Sequence, residues 1–266
     1  MQDSVIRERL QNVRCFLLDM DGTFYLGDRL LPGSLDFLDA LKKTGREAVF
    51  LTNNSSRSAS YYVEKLKRMG VGEPFLQVLT SGQAAARHCL RQYPGQRAYV
   101  LGNHILLAEY EAMGLPMAQQ NPDYVLIAYD TELDYAKMHA VCDHVRAGLP
   151  YIATHPDFNC PTETGYAPDI GAIIAFIEAS TGRVPDEIIG KPNVGIVREA
   201  LALTGQPASH LAMVGDRLYT DIETACRSGM TGILVLSGET DRAMLAASDT
   251  KPDLVFERLS DMIPYL

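Results

Sequence analysis

The sequence predicts an α/β protein built on parallel sheets, with a second α/β domain inserted into the first. Three observations carry this. Strand-like apolar runs alternate with helix-period segments along the chain. Polar residues of chemical interest stand directly after several of those runs, at the carboxyl edge where parallel sheets gather their chemistry. Two of the polar ends, Thr52 and Lys191, are separated by more than a hundred residues that hold strands and helices of their own.

Taken in order, the apolar run ending at Leu18 reads as a buried strand that delivers Asp19. Residues 34–43 place Leu35, Leu38 and Leu41 on one helical face, and Gly45 follows as a stop signal. Residues 48–51 form a second strand ending at Thr52, and 58–69 a second helix closed by Gly70. Within the insertion, 98–101, 124–128 and 151–153 read as strands, and 82–91, 133–146 and 170–180 as helices. Near the end, strands over 211–214 and 232–236 flank a helix over 220–228. The expected division is therefore a core of residues 1–79 and 183–266 with an inserted domain over 80–182, the boundaries falling near Leu79 and Arg183.

A chain of 266 residues, 47% of them apolar, can bury a large core. No apolar run approaches the ~18–20 residues of a membrane span. The first nine residues mix charges of both signs and lack the apolar stretch of a signal peptide, so the cytoplasm is the expected compartment. Cys15, Cys89, Cys142, Cys160 and Cys226 are scattered with no C-x-x-C pair, which argues against a disulfide framework or a zinc site. The formal charge of −9 and the lack of a basic stripe argue against nucleic acid. A small anionic substrate stays open, because one lysine, helix N-termini and a bound cation can make a site locally positive.

Four polar ends hold the candidate chemistry. Asp19 and Asp21 stand two residues apart in Asp19-Met20-Asp21-Gly22-Thr23. Such a pair repels itself unless a divalent cation takes its oxygens, and Gly22 allows a tight turn beside it. An ordinary strand-ending Asp-Gly turn reads the same way. Thr52-Asn53-Asn54-Ser55-Ser56 offers hydroxyls, amides and backbone N–H groups to phosphoryl oxygens; the plainer reading is a polar loop with a helix cap. Lys191, between Gly190 and Pro192, suits a cation aimed at a fixed anion, although a lone loop lysine is usually a surface charge. In Gly215-Asp216-Arg217-Leu218-Tyr219-Thr220-Asp221, Asp216 is a metal-ligand candidate. Asp221 either caps the following helix or hydrogen-bonds Lys191 and the ligand groups. There is no P-loop, no dinucleotide fingerprint and no Gly-x-Ser-x-Gly elbow.

The ordered set Asp19-x-Asp21-Gly22-Thr23, Thr52, Lys191 and Gly215-Asp216-x₄-Asp221 resembles the haloacid dehalogenase (HAD) superfamily, and within it the NagD / para-nitrophenyl-phosphatase-like branch. Supporting matches are Leu51-Thr52-Asn53-Asn54, Gly190-Lys191-Pro192, residues 151–157 and Pro168-Asp169-Ile170-Gly171. The resemblance spans nearly the whole chain. It implies a doubly wound, Rossmann-like parallel-sheet core with an inserted α/β cap that sets substrate specificity. It implies a Mg²⁺-dependent phosphatase acting on phosphate monoesters of small metabolites, such as a nucleotide monophosphate or a sugar phosphate. Asp19 would be the nucleophile that forms an aspartyl-phosphate, and Asp21 the acid and base. The Asp19 side chain, the Asp21 backbone carbonyl and the Asp216 side chain would hold Mg²⁺. Thr52, the backbone near Asn53, and Lys191 would bind phosphoryl oxygens, with Asp221 in support.

Candidate cap contacts to the leaving group are His155, Asp157, Asn159 and Glu163. Two other readings stay open: a phosphotransferase or mutase of the same fold, and a non-catalytic module that binds a phosphorylated ligand. Dehalogenation is disfavoured by Asp21 and the metal set, and nothing in the sequence singles out Lys137 as an imine-forming lysine. A two-fold homodimer is the expectation from the resemblance and from the frequency of such assemblies. Neither nucleic acid nor a membrane is an expected partner.

Overall fold

The computed structural model describes residues 3–162 and 165–266. The chain divides into two compact units: residues up to Thr52, Ser60–Leu79 and Lys191–Leu266 form the first, and Asn53–Ala59 with Thr80–Gly190 form the second.

The first unit is built on a six-stranded sheet in the order Leu254–Phe256, Thr231–Val235, Leu211–Gly215, Cys15–Leu18, Glu47–Thr52, Val78–Thr80. The central strand, Cys15–Leu18, is buried at every position, which is why it is a short unbroken apolar run rather than an alternating one. It pairs in parallel with both neighbours, Leu18 lying opposite Val214 on one side and Phe50 on the other. The chain then builds outward from it in both directions, so the order reverses at the centre of the sheet. Open α/β sheets bind ligands at the carboxyl ends of strands at such a point.

Helix Ser34–Thr44 packs Phe37, Leu38 and Leu41 inward, and Phe37 meets Phe16 edge-on at 5.5 Å between ring centroids. Leu35, expected on that face, is exposed; Phe37 takes the inward position in its place. Gly45 ends the helix at φ +68°, its N–H bonding back to the carbonyls of Leu41 and Lys42.

The second unit has a parallel four-stranded sheet in the order Glu187–Ile188, Tyr151–Ala153, Tyr124–Ile127, Ala98–Leu101. Helices Tyr135–Arg146 and Ile170–Thr181 pack against it through Val141, Val145, Ile170, Ile173 and Ile177. An antiparallel pair, Asn159–Thr162 with Gly165–Pro168, stands apart from that sheet. The return to the first unit falls at Lys191 rather than near Arg183. Glu187–Ile188 pairs with Tyr151–Ala153, and Arg183 donates through Nη1 to the carbonyls of Val145 and Leu149, at 2.7 and 2.9 Å. Both ties keep the segment with the second unit.

Cys15, Cys89 and Cys142 are buried as small apolar residues, Cys160 is half-buried, Cys226 is exposed, and all five are free thiols. Among the described residues no helix is long and apolar enough to cross a membrane.

Candidate active site

Three adjacent strands of the first sheet deliver polar residues at their carboxyl ends: Asp19 after Cys15–Leu18, Thr52 at the close of Glu47–Thr52, and Asp216 after Leu211–Gly215. The sheet ladder fixes Asp19, whose N–H donates to the Val214 carbonyl at 2.9 Å. Lys191 enters the same place from the start of the last segment. Its Nζ lies 2.5 Å from Asp19 Oδ1 and 2.7 Å from Asp221 Oδ1, and donates to the Leu51 carbonyl at 3.4 Å. Asp221 accepts at its other oxygen from the Arg217 N–H, at 3.1 Å. Of the two sequence readings of Asp221, the Lys191 contact is present. The expected helix over 220–228 begins as a π-turn, Leu218–Ile222, before the α-helix Glu223–Ser228. That turn carries the Asp221 carboxylate back under the strand end.

Asp19, Asp216 and Asp221 each offer a carboxylate oxygen, all within 4.8 Å of one another. Burial pushes the Asp19 carboxyl well above the ordinary range; Lys191 opposes the shift, while Asp221 and Asp216 add to it. Asp216 is pushed up to about 6, first by burial and then by Asp221, against the Glu239 N–H, which donates to its Oδ2 at 2.7 Å. Burial alone would lower the Lys191 pKa, but Asp19 and Asp221 outweigh it and hold the ammonium charged.

The turn after Asp19 needs glycine at position 22. Its φ is +85°, and a Cβ there would strike the Asp216 carboxylate. The Gly22 N–H donates to the Tyr25 carbonyl at 2.8 Å, and the Gly22 carbonyl accepts from Ser237 Oγ at 2.8 Å. Asp21 lies on this turn and is reached by solvent. The protein around it still raises its carboxyl by desolvation; Lys65, the Gly27 N–H, Arg217 and the Tyr25 hydroxyl pull the other way.

Asn53 falls in the second unit, one residue beyond Thr52. Its Nδ2 donates to Asp157 Oδ2 at 3.1 Å, and its carbonyl accepts from Ser81 Oγ. His155, expected to face a substrate, is fully buried instead. Its Nε2 pairs with Asp169 Oδ1 at 3.1 Å, and its Nδ1 meets Thr154 Oγ1 at 3.2 Å and Ser81 Oγ at 3.3 Å. Asp169 in turn caps helix Ile170–Thr181. His155 thus ties the Asn53 loop to that helix. Asn159 is exposed, and Glu163 lies outside the described residues.

Sequence reasoning missed several groups around the site. Arg217 pairs with Glu239 at 2.9 Å, Tyr219 donates to Glu239 at 2.9 Å, and Thr23 Oγ1 donates to Asp216 Oδ1 at 3.4 Å. Thr23 and Arg217 sit inside the two aspartate motifs, a positional signal; Glu239 and Lys65 carry none.

A divalent cation fits the donor set. Asp19, Asp216 and Asp221 offer hard carboxylate oxygens within 4.8 Å of one another, and the proton affinity of Asp19 and Asp216 is raised first by burial and then by neighbouring carboxylates.

Comparison with known proteins places this geometry. Family models match at residues 16–116, for haloacid dehalogenase-like hydrolase, and at 188–262, for HAD-hydrolase-like. A 5'-nucleotidase of Bacillus subtilis is 32% identical over 257 residues, 97% of this chain and 100% of that protein. An acid sugar phosphatase of Staphylococcus aureus is 33% identical over 258 residues, 97% of this chain and 99% of the other. The crystal structure of a 4-nitrophenylphosphatase from Thermotoga maritima superposes with a TM-score of 0.93 at 47% identity, covering 96% of this chain and 98% of that one. The chain belongs to the haloacid dehalogenase-like hydrolases, in the NagD / para-nitrophenyl-phosphatase-like branch.

Proposed function

We propose that this protein hydrolyses phosphate monoesters of small metabolites, a nucleotide monophosphate or a sugar phosphate, through an aspartyl-phosphate on Asp19. The observation that carries the reading is the cluster in which Asp19 and Asp216, at the carboxyl ends of adjacent strands, meet Lys191 and Asp221. Phosphoryl transfer asks mainly for positioning and charge neutralisation, which this set supplies.

Asp19 attacks phosphorus, and the bond to the leaving oxygen breaks as Asp21 gives that oxygen its proton. Asp21 then takes a proton from the water that hydrolyses the acyl phosphate, which frees phosphate and restores Asp19. Lys191, held charged by Asp19 and Asp221, and the Thr52 hydroxyl bind phosphoryl oxygens. Asn53 contributes its backbone to the same task. Mg²⁺, held by the side chains of Asp19 and Asp216 and the backbone carbonyl of Asp21, would neutralise the phosphoryl oxygens when bound. The second unit reads the leaving group.

Lys137 does not support imine chemistry. Its Nζ is engaged by Asp130 Oδ2 at 2.8 Å and by the carbonyls of Glu132 and Gly102, at 3.2 and 3.4 Å.

The test is release of inorganic phosphate from a panel of phosphate esters, with Mg²⁺ and with EDTA. Metal-dependent turnover, ranked by kcat/KM, supports the reading and names the substrate class. No metal-dependent release from any ester would assign the fold to a binding role, and an isomerised product without free phosphate would assign it to a mutase.

A further inference from the structure

The amino edge of the first sheet, opposite the edge that carries Asp19 and Thr52, holds two arginines. Strands Cys15–Leu18 and Glu47–Thr52 pair in parallel with Cys15 opposite Glu47, so Arg14 and Arg46, one residue back on each, stand side by side. The Glu47 N–H donates to the Arg14 carbonyl at 2.9 Å, and the Arg14 N–H donates to the His210 carbonyl at 2.8 Å. The ladder thus holds the two arginines at the spacing of neighbouring strands, about 4.8 Å. Side chains alternate along a strand, so both belong to the face of Phe16 and Ala48, where Phe16 packs on Phe37 of helix Ser34–Thr44.

No acid meets them there. Glu47 belongs to the opposite face with Cys15, where it adds to the burial that pushes the Cys15 thiol up to about 12. The last carbonyls of helix Ser34–Thr44 are already engaged: Ala40 accepts from Thr44 Oγ1, and Leu41 and Lys42 accept from the backbone N–H groups of Gly45 and Arg46. Arg14 is exposed and Arg46 half-buried. Among the described residues neither guanidinium has a hydrogen bond or an ion pair, and Arg46 Nη1 is buried without an acceptor. Burial lowers the Arg46 pKa, Arg14 lowers it further, and no carboxylate opposes them. Two like charges held together, one of them partly desolvated, are unfavourable by themselves. A chain of formal charge −9 has acidic residues in excess, yet sets none against this pair.

We propose that Arg14 and Arg46 form an anion site for a phosphate-class oxyanion, separate from the catalytic centre. Each guanidinium offers a fork of N–H donors that matches two oxygens of one tetrahedral anion. A dianion balances both charges, where a single carboxylate would leave one over. The site does not depend on the phosphatase reading, because none of its groups takes part in that chemistry.

The measurement is equilibrium dialysis of radiolabelled inorganic phosphate against the full-length protein with Mg²⁺, in chloride buffer. Arg46→Met keeps an apolar stem and removes the charge. It is expected to bind one phosphate fewer per chain than the unaltered protein, or to bind that equivalent at least about tenfold more weakly. Hydrolysis of 4-nitrophenyl phosphate, and its inhibition by phosphate, should change by less than about twofold, since both report the catalytic centre. Competition by phenylphosphonate, a mimic of an ester that cannot be hydrolysed, names the source. Tighter binding than phosphate points to a phosphorylated metabolite and weaker binding to the free anion, and either order supports the site. Thermal unfolding supplies a second reading. In chloride alone Arg46→Met should melt no lower than the unaltered protein, and phosphate should stabilise the unaltered protein more than the variant. Equal phosphate stoichiometry and affinity in the two proteins overturns the proposal. A loss of stability that is the same with and without phosphate also overturns it, because that is the mark of a purely structural arginine. Should Arg46→Met fail to fold, Arg14→Gln, on an exposed residue, must show the same loss of one phosphate.

Discussion

Replacing Lys191 with methionine removes the cation that Asp19 and Asp221 share as a direct partner. Its side chain is 3% exposed, against 16% for Asp19 and 1% for Asp221, so solvent screens these pairs only slightly. Methionine keeps the length and the apolar stem, so lost packing is minor. Removing one partner of a buried pair costs about 3–5 kcal/mol, because the remaining charge stays buried without compensation. The first unit has about 150 residues, and in a domain of that size each kcal/mol shifts Tm by about 2–4 °C. The expected fall is therefore roughly 6–20 °C. Calorimetry of both proteins in EDTA measures it. The pH dependence has a definite sign. The orphaned carboxylates bind their protons more tightly folded than unfolded, so Lys191→Met is relatively better off in acid and loses stability as pH rises. The double variant Lys191→Met/Asp221→Asn removes one leftover charge and should regain part of the loss. A fall below about 2 °C, or a double variant no more stable than the single, would refute the reasoning.

Four further outcomes follow from the geometry. Asp19→Asn should cut phosphate release by at least about 10⁴-fold while circular dichroism shows a native fold, since the proposed nucleophile alone is removed; full Mg²⁺-dependent activity would sink the assignment. Asp216→Asn should weaken metal activation, read as a rise of about tenfold or more in the Mg²⁺ concentration for half-maximal rate. Gly22→Ala combines a backbone at φ +85° with a Cβ that strikes Asp216, so it should lose at least about 1–2 kcal/mol in denaturant unfolding as well as activity. Asp169→Ala removes the cap of helix Ile170–Thr181 and the His155 partner together; roughly 2–4 kcal/mol is expected, with most of the effect in the second unit.

Much of the core was legible because the signals were local. Cys15–Leu18 is buried on both faces and reads as a continuous apolar run, and Asp19 follows it directly. The rest depended on tertiary partners. Helix Val194–Thr204 has a weak local start signal: it begins just after Lys191-Pro192, and its N-cap residue, Asn193, makes no side-chain cap hydrogen bond. Strands Val78–Thr80, Glu187–Ile188 and Leu254–Phe256 are two or three residues long, and only their neighbours in the sheets make them strands. From the sequence, His155 reads as a candidate contact to the leaving group. Asp169, fourteen residues away, buries it, and no local pattern predicts that pairing. Lys65 follows Glu64 and is followed within three positions by Lys67 and Arg68, so its sequence context is that of a solvated helix face. The Tyr25 ring, forty residues earlier, is what sets it apart.

Charge counting shows why the site calls for a divalent partner rather than a second lysine. Asp19, Asp216 and Asp221 carry three negative charges when ionised, and Lys191 offsets one of them. Arg217 helps from the side, but it is paired with Glu239. The remaining two charges sit in a buried space, and the protein meets that cost as raised carboxyl pKa values at Asp19 and Asp216. A monovalent cation would leave one charge unbalanced; a divalent cation balances both. The site would then meet a phosphate dianion from near neutrality, with the ammonium and a cation already facing it, instead of repelling it with three carboxylates. The same count explains the placement of Asp21. It lies outside the cluster, on the exposed turn, where under the proposed mechanism it would exchange protons with the leaving oxygen and with water while the cluster keeps its charge balance.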